Sequence, residues 1–307
     1  ILVVTNEAYV KLVKEQLPDL DASNILSEPA RKNTAPCIAY AAYRIASINP
    51  KGLMVVAPSD HLITKEETFL KAIRSCFRKA ASEDCLVTLG ISPTRPDTGY
   101  GYIQFKESDV KEKDNRIKKV KTFTEKPDQQ MARSFLDSGD FLWNSGIFIW
   151  SVPSILKELE RNLPEINSLF SEGIAFYNTP KEKAFIKEAY SKCKNISIDY
   201  AVMEKAENVY VRSSIIGWSD LGTWGSLYDH IGKNEDSNAV VGKNVMLYQA
   251  KNCIVHVPKD KLVVIEGLEG YIVAESDGIL LICKKKEEQQ IRNIVNDVKV
   301  KHGDRFV

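Results

Sequence analysis

The sequence predicts a layered α/β domain with a largely parallel sheet, followed by a small all-β domain. Two features of the 307 residues carry this reading. In the first hundred, short apolar runs alternate with stretches whose apolar positions recur at helical spacing. Beyond His230, brief β-rich runs recur between turn residues until a last helical stretch.

Ile1–Val4 reads as a strand, with Thr5 capping a helix that carries Val10, Val13 and Leu17 on one face. Ile25–Leu26 is a second strand, and Thr34 caps "APCIAYAAYRIAS" with Pro36 in its first turn, where proline is tolerated. "LMVVA", residues 53–57, is apolar throughout and predicts a strand buried on both faces. "TKEE", from Thr64, reads as a capping box for a helix with Phe69, Ile73, Phe77 and Ala80 in register. "CLVTLGI" is the next strand. From Gly99 the excursions lengthen, and several helices are expected between Pro153 and Tyr190.

The polar linker "GKNEDSN" separates a first domain, residues 1–232, from a second, residues 238–307. In the second, strands are expected at Val245–Tyr248, Cys253–Val257, Leu262–Ile265, Tyr271–Ala274 and Ile279–Cys283. A closing helix sets Ile291, Ile294, Val295 and Val298 on one side.

A net charge of +1 gives no electrostatic ground for binding nucleic acid or an anionic membrane. No apolar stretch approaches the ~20 residues needed to span a bilayer. The six cysteines form no C-x-x-C pair, which points to reduced thiols and a cytoplasmic setting rather than a disulfide framework or zinc site.

Polar residues at strand ends supply the candidate chemistry. Asp60 follows the 53–57 strand, at the sheet edge where open α/β sheets bind ligands. Asp220 lies in "GWSDLGTW" between Trp218 and Trp224, with Gly222 making a sharp turn before a helix. Such carboxylates can share a Mg²⁺, which takes one or two of them plus substrate phosphates. Each alone reads first as a cap or turn former, and His61 reads as structural. In "SEPARKNTAP", Glu28 has the wrong sign for a phosphate but suits the N1–H and amino donors of guanine. Pairing with Arg31 or Lys32 is the alternative. Gly99 and Gly101 permit close backbone approach to a ligand, or form a bulge. Glu125 and Lys126 in "TEKPD" could hold a hydroxyl and a phosphate, or make a turn. Asn144 and Ser145 interrupt an apolar run and need partners, which a polyol would supply. Asp199 in "SIDYAVMEK" stands at a helix start, where capping is the plainer reading.

In this order, "EPARKNTAP", "VAPSDH", "TGYGYI", "FTEKPD", "LWNSGIFIW", "SIDYAVMEK" and "WSDLGTW" resemble the mannose-1-phosphate guanylyltransferases, across essentially the whole chain. The resemblance implies a Rossmann-like nucleotidyltransferase domain with a mostly parallel mixed sheet and a β-helix-like tail. It implies transfer of GMP from GTP to mannose 1-phosphate, with Asp60 and Asp220 holding Mg²⁺ and Lys126 approaching the sugar phosphate. Glu28, Asn33 and Thr34 would serve the nucleotide, and Gly101, Glu125, Asn144 and Asp199 the mannose. A homodimer is compatible with it. No G-G-x-G-x-R precedes Glu28, so the resemblance implies a further strand–loop–helix unit upstream of Ile1. Two other readings stand beside it: a different sugar-1-phosphate nucleotidyltransferase, and a regulatory subunit that binds a sugar nucleotide without turnover.

Overall fold

A computed structural model describes residues 1–106, 114 and 116–306; Val307, the last residue of the predicted second domain, lies outside them. The chain forms two compact units, one of Ile1–Ser59 with Thr64–Ile216 and one of Asp60–Ile63 with Gly217–Val307.

Up to Ile216 the elements are β1 (Val3–Asn6), α1 (Val10–Gln16), β2 (Ile25–Glu28), α2 (Thr34–Ala46), β3 (Leu53–Val56), β4 (Leu62–Ile63), α3 (Glu66–Ser82), β5 (Leu86–Ile91), β6 (Tyr102–Phe105), β7 (Ile117–Thr124), α4 (Gln129–Ser138), β8 (Phe141–Ser151), α5 (Val152–Asn162), α6 (Pro164–Ser171), α7 (Glu182–Lys192) and β9 (Val209–Ser213). All but β4 belong to the first unit.

There β1 pairs with β2 in parallel, and a six-stranded sheet runs β3-β8-β5-β9-β7-β6. The expectation of a mostly parallel sheet is corrected. Among the described residues only β5–β9 is a parallel pairing within that sheet. The cause is β8, which lies between β3 and β5 and runs antiparallel to both. Strands β3 and β5 therefore share the direction that a strand–helix–strand crossover requires, without being neighbours. The 53–57 run is not buried on both faces either. Strand β3 is the outer strand of this sheet, and Leu53 and Val55 are 40% and 45% exposed while Met54 is buried.

Helix starts also differ from expectation. The N-cap of α2 is Asn33, whose Oδ1 accepts from the Thr34 N–H at 2.9 Å. Thr64 heads no capping box, because the N-cap position of α3 is Lys65, without a side-chain bond. Asn6 rather than Thr5 caps the short turn before α1, its Oδ1 accepting from Ala8 N–H.

The main core joins α2, α5 and α6 to the sheet. Tyr40, Tyr43, Phe170 and Tyr177 pack ring on ring there, and Trp150 of β8 is fully buried against Phe148. One buried ion pair ties β9 to the entry of β7. Arg212 Nε donates to Asp114 at 2.9 Å, and Ser75 Oγ and Arg116 Nε donate to the same carboxylate at 2.8 Å.

In the second unit, β10 (Trp218–Ser219) pairs antiparallel with β4, and α8 (Trp224–His230) follows. Trp224, Leu227, Tyr228 and Ile231 pack against Ala239, Ile254 and Ile272. This contact is why 217–232, assigned from sequence to the first domain, lie in the second compact unit. Next come β11 (Ala239–Val241), β12 (Asn244–Tyr248), β13 (Ile254–His256), β14 (Leu262–Glu266), β15 (Tyr271–Ser276), β16 (Ile279–Lys284) and α9 (Ile291–His302). Strands β11, β13 and β15 form one parallel ladder, β12 and β14 another, and β16 pairs antiparallel with β15. Ile291 packs on the α8 cluster, but Ile294 and Val295 are exposed, so the apolar side read for α9 is only partly covered.

Burial alone raises the Asp114 carboxyl, but hydrogen bonds from Arg116 and Ser75 and the Arg212 charge outweigh it and hold it well below the usual range. Its contribution is therefore present above the unfolded carboxyl range and lost as pH falls from that range through the lower folded value. Asp114→Ala leaves the Arg212 guanidinium uncompensated and should cost roughly 3–5 kcal/mol at neutral pH in a denaturant titration. The difference should shrink in acid; a loss below about 1 kcal/mol at neutral pH would contradict the buried-pair account.

Candidate active site

A polar cluster in the first unit grows from Asn144, the fourth residue of β8. Its Nδ2 donates to Asp199 Oδ1 at 2.9 Å, and its Oδ1 lies 3.2 Å from both the Gly146 N–H and the Thr88 hydroxyl. Its own N–H donates to the Gly101 carbonyl at 2.8 Å. A Cβ built on Gly101 would stand 2.4 Å from Glu125 Oε2, so glycine is what lets the Glu125 carboxylate approach the chain here. Lys126 Nζ pairs with Glu125 Oε1 at 2.9 Å. Gly101, Glu125, Lys126, Asn144 and Asp199 thus meet in one place.

Asp199 opens a π-helical turn, Asp199–Met203, an uncommon geometry that recurs at functional sites. Its carboxylate makes no helix cap, contrary to the plainer sequence reading, and turns to Asn144 instead. Burial first, then the neighbouring Glu125 charge, pushes its carboxyl up to about 6, although Asn144 and Lys126 pull it down. The polar interruption of β8 is satisfied within the protein rather than by a ligand alone. Ser145 Oγ donates to the Leu89 carbonyl at 2.7 Å.

Glu28 ends β2. It does not take Arg31 as its partner: Arg31 donates to Tyr9 Oη at 2.6 Å, while Glu28 Oε1 accepts from the buried Tyr190 hydroxyl at 2.6 Å. Burial raises the Glu28 carboxyl and the Tyr190 hydrogen bond lowers it, leaving it above its ordinary value. Burial, with the Glu28 charge, also lifts the nearby Cys37 thiol to about 12, so this cysteine is no nucleophile at neutral pH. Thr34 Oγ1 accepts from Ile198 N–H at 2.8 Å, and Ala35 N–H donates to the Ile196 carbonyl at 3.1 Å. The Asn33–Thr34 corner is therefore tied to the segment that delivers Asp199.

Asp60 and Asp220 both belong to the second unit. Asp220 Oδ1 accepts from Gly222 N–H at 3.1 Å, and a Cβ on Gly222 would come within 2.7 Å of Asp220 Oδ2. The Asp60 carboxylate is largely exposed, with Oδ1 4.0 Å from His61 Nε2. Trp218 Nε1 donates to His61 Nδ1 at 3.0 Å, so the neutral imidazole carries its proton on Nε2. Burial lowers the imidazole while the charges of Asp60 and Asp220 oppose it, so both carboxylates act on one ring. This donor set fits Mg²⁺: hard oxygens, two carboxylates, and the rest of an octahedron left to water and phosphate. Among the described residues no group of three or more His, Cys, Asp or Glu could hold a metal ion, so a cage made of protein alone is not on offer.

Backbone strain accompanies both units' candidate residues. Asn33, Lys126 and Leu221 have φ of 67°, 47° and 51°. Such conformations cost on the order of 1–3 kcal/mol and persist where the surroundings impose them. For Lys126 the conflict is sharper, since a residue before proline prefers extended backbone.

Sequence reasoning missed Thr88, Tyr190 and the part played by His61. Thr88 carried a usable signal, a hydroxyl inside the apolar "CLVTLGI". Tyr190 carried none, because its bond to Glu28 spans 162 positions.

Fold and clusters together define an α/β protein whose acidic and amide groups stand within β8 and at strand and helix ends. The chain belongs to the nucleotidyl transferase family, whose model matches residues 1–237. It is 35% identical over 305 residues to a mannose-1-phosphate guanylyltransferase of Escherichia coli, covering 96% of this chain and 64% of that one. It is 38% identical over 301 residues to a protein of the same name from Sinorhizobium fredii, covering 96% of this chain and 57% of that one. The chain thus spans about three-fifths of the length of these curated relatives. A solved structure from Thermus thermophilus, described as mannose-1-phosphate geranyltransferase, superposes with a TM-score of 0.82 at 26% identity over 97% of this chain and 84% of that one. Among the described residues no helix is long and apolar enough to cross a membrane.

The raised Asp199 carboxyl has a sign that can be measured. Its folded value of about 6 lies above the unfolded 3.8. The stability it contributes is therefore complete below pH ~4 and lost as pH rises through ~6. Asp199→Asn should gain on the parent by on the order of 2–3 kcal/mol between pH 4 and pH 8 in denaturant titrations. A pH-independent difference would contradict the buried, Glu125-facing carboxylate.

Proposed function

We propose that this chain carries the catalytic core that transfers GMP from GTP to mannose 1-phosphate, releasing pyrophosphate. The observation that carries the proposal is the meeting of Gly101, Glu125, Lys126, Asn144 and Asp199, from well-separated motifs, around one hydrogen-bonded amide. The names of the relatives, mannose-1-phosphate guanylyltransferases, support the same substrates.

In this reading Glu28 accepts from guanine N1–H and the amino group. Tyr190 occupies one lone pair of Oε1, which leaves the other and Oε2 for the base. Asn33 and Thr34 lie on the nucleotide side. Glu125, Asn144 and Asp199 take mannose hydroxyls, Gly101 admits the sugar close to the chain, and Lys126 neutralises the sugar phosphate. Asp60 and Asp220 would hold Mg²⁺, which supplies charge neutralisation on the phosphates. A phosphate oxygen of mannose 1-phosphate attacks the α-phosphorus of GTP in line; the new P–O bond forms as the bond to pyrophosphate breaks. The protein needs no covalent intermediate, and its contribution is placement and electrostatic stabilisation. Six free thiols support a reducing, cytoplasmic setting. The alternation of β11, β13 and β15 with β12 and β14 between two parallel ladders supports a β-helix-like reading of the second unit.

Two variants of the complete gene product test this. A bidentate base-edge contact is worth about 1–3 kcal/mol, or roughly five- to 150-fold. Glu28→Gln should therefore lower kcat/KM for GTP by that factor more than for ATP, and equal losses would remove Glu28 from base recognition. Asp220→Asn should lower kcat at least about tenfold while the unfolding transition stays in place. Near-normal turnover with unchanged Mg²⁺ dependence would remove Asp220 from the metal.

A further inference from the structure

Thr88 is fully buried on β5, beside the irregular register between Thr88 and Gly90 against β8. Its hydroxyl lies 3.2 Å from Asn144 Oδ1, 3.1 Å from the Ile147 carbonyl and 3.5 Å from the Leu89 carbonyl. Asn144 Oδ1 also accepts from Gly146 N–H, and Asn144 Nδ2 donates to Asp199. The Gly146 N–H and the Asp199 carboxylate decide which way the amide faces, while the single Thr88 hydroxyl proton is shared between Asn144 Oδ1 and the Ile147 carbonyl. A flipped amide would set N–H against the Gly146 N–H and oxygen against the Asp199 carboxylate. In the observed orientation the oxygen faces the Gly146 N–H within β8 and the Thr88 hydroxyl of β5. One Nδ2 hydrogen is spent on Asp199, and the amide has two.

We propose that Thr88 is a positioning residue for sugar recognition: its hydroxyl holds the Asn144 amide so that the second Nδ2 hydrogen is presented to a hydroxyl of the sugar phosphate. Without it the oxygen keeps the Gly146 bond, which together with the Asp199 bond still sets the sense of the amide but holds its plane less firmly. The inference rests on the mannose 1-phosphate reading of the cluster, because it assigns Asn144 as a donor to that substrate. Glu125 and Asp199 are acceptors, so the site needs a fixed donor if it is to match hydroxyl groups that both give and receive.

The test uses Thr88→Val, nearly the same shape without the hydroxyl, and Thr88→Ser, which restores it, in the complete gene product. Asn144→Ala is measured in parallel. A neutral hydrogen bond of this kind should show as a rise of roughly three- to tenfold in KM for mannose 1-phosphate. KM for GTP should be unchanged in Thr88→Val, and Thr88→Ser should recover the parent value. A rise in both KM values with a lower unfolding midpoint would mark Thr88 as merely structural and overturn the proposal. Unchanged sugar KM in Thr88→Val alongside a raised one in Asn144→Ala overturns the Thr88 role and leaves the sugar site standing. Unchanged sugar KM in both overturns the role together with the sugar site. If the valine variant does not fold, Thr88→Cys, a weaker donor, should show an intermediate rise, and its absence overturns the proposal equally.

Discussion

The hydrogen bond from Asn144 Nδ2 to Asp199 Oδ1 is the interaction on which the candidate site depends. It joins the interior of β8 to a π-helical turn across 55 positions, and it compensates a carboxylate whose burial would otherwise be costly. Every other member of the cluster answers to it. Thr88 and Gly146 face the amide oxygen, Gly101 receives the Asn144 N–H, and Glu125 adds a second negative charge beside Asp199. Lys126 relieves that charge and pairs with Glu125. A half-satisfied network of this kind would be worse than an apolar core, so its members are constrained together.

The strained residues belong to the same logic. Lys126 is held at positive φ beside the paired Glu125 carboxylate, and Asn33 at positive φ where its own side chain caps α2. Leu221 does the same beside Asp220, where only a glycine at 222 leaves room for the carboxylate. Local stability is lost at each, and each places a polar group at a strand or helix end. Placement is also what in-line transfer between phosphates asks of a protein, since the chemistry itself requires no nucleophile from the chain.

Local features were legible in the sequence, and long-range ones were not. The polar break in "LWNSGIFIW" marked Asn144 because a polar side chain in an apolar run must find a partner. The breaks after "LMVVA" and in "GWSDLGTW" marked Asp60 and Asp220. The alternation of strands and helices is consistent with β3 and β5 running in one direction. What local patterns could not reveal was the insertion of β8 between them, which turned an expected parallel sheet into a mixed one and left β3 as the outer strand. Caps slipped by a residue at α2 because Asn33 adopts a backbone that propensity does not anticipate. Tyr190 was invisible because nothing near it in the chain refers to Glu28.

The chain belongs to the nucleotidyl transferase family, and the central proposal is the identity of its two substrates. The measurement that bears on it most directly is ³¹P NMR product analysis of the complete gene product. It would be incubated with Mg²⁺ and each of GTP, ATP, UTP and CTP, against mannose 1-phosphate and glucose 1-phosphate. The account predicts GDP-mannose and pyrophosphate in equal amounts from GTP and mannose 1-phosphate, faster than any other pair. A folded, substrate-binding protein that forms a different nucleotide sugar preferentially, or none at all, would contradict it.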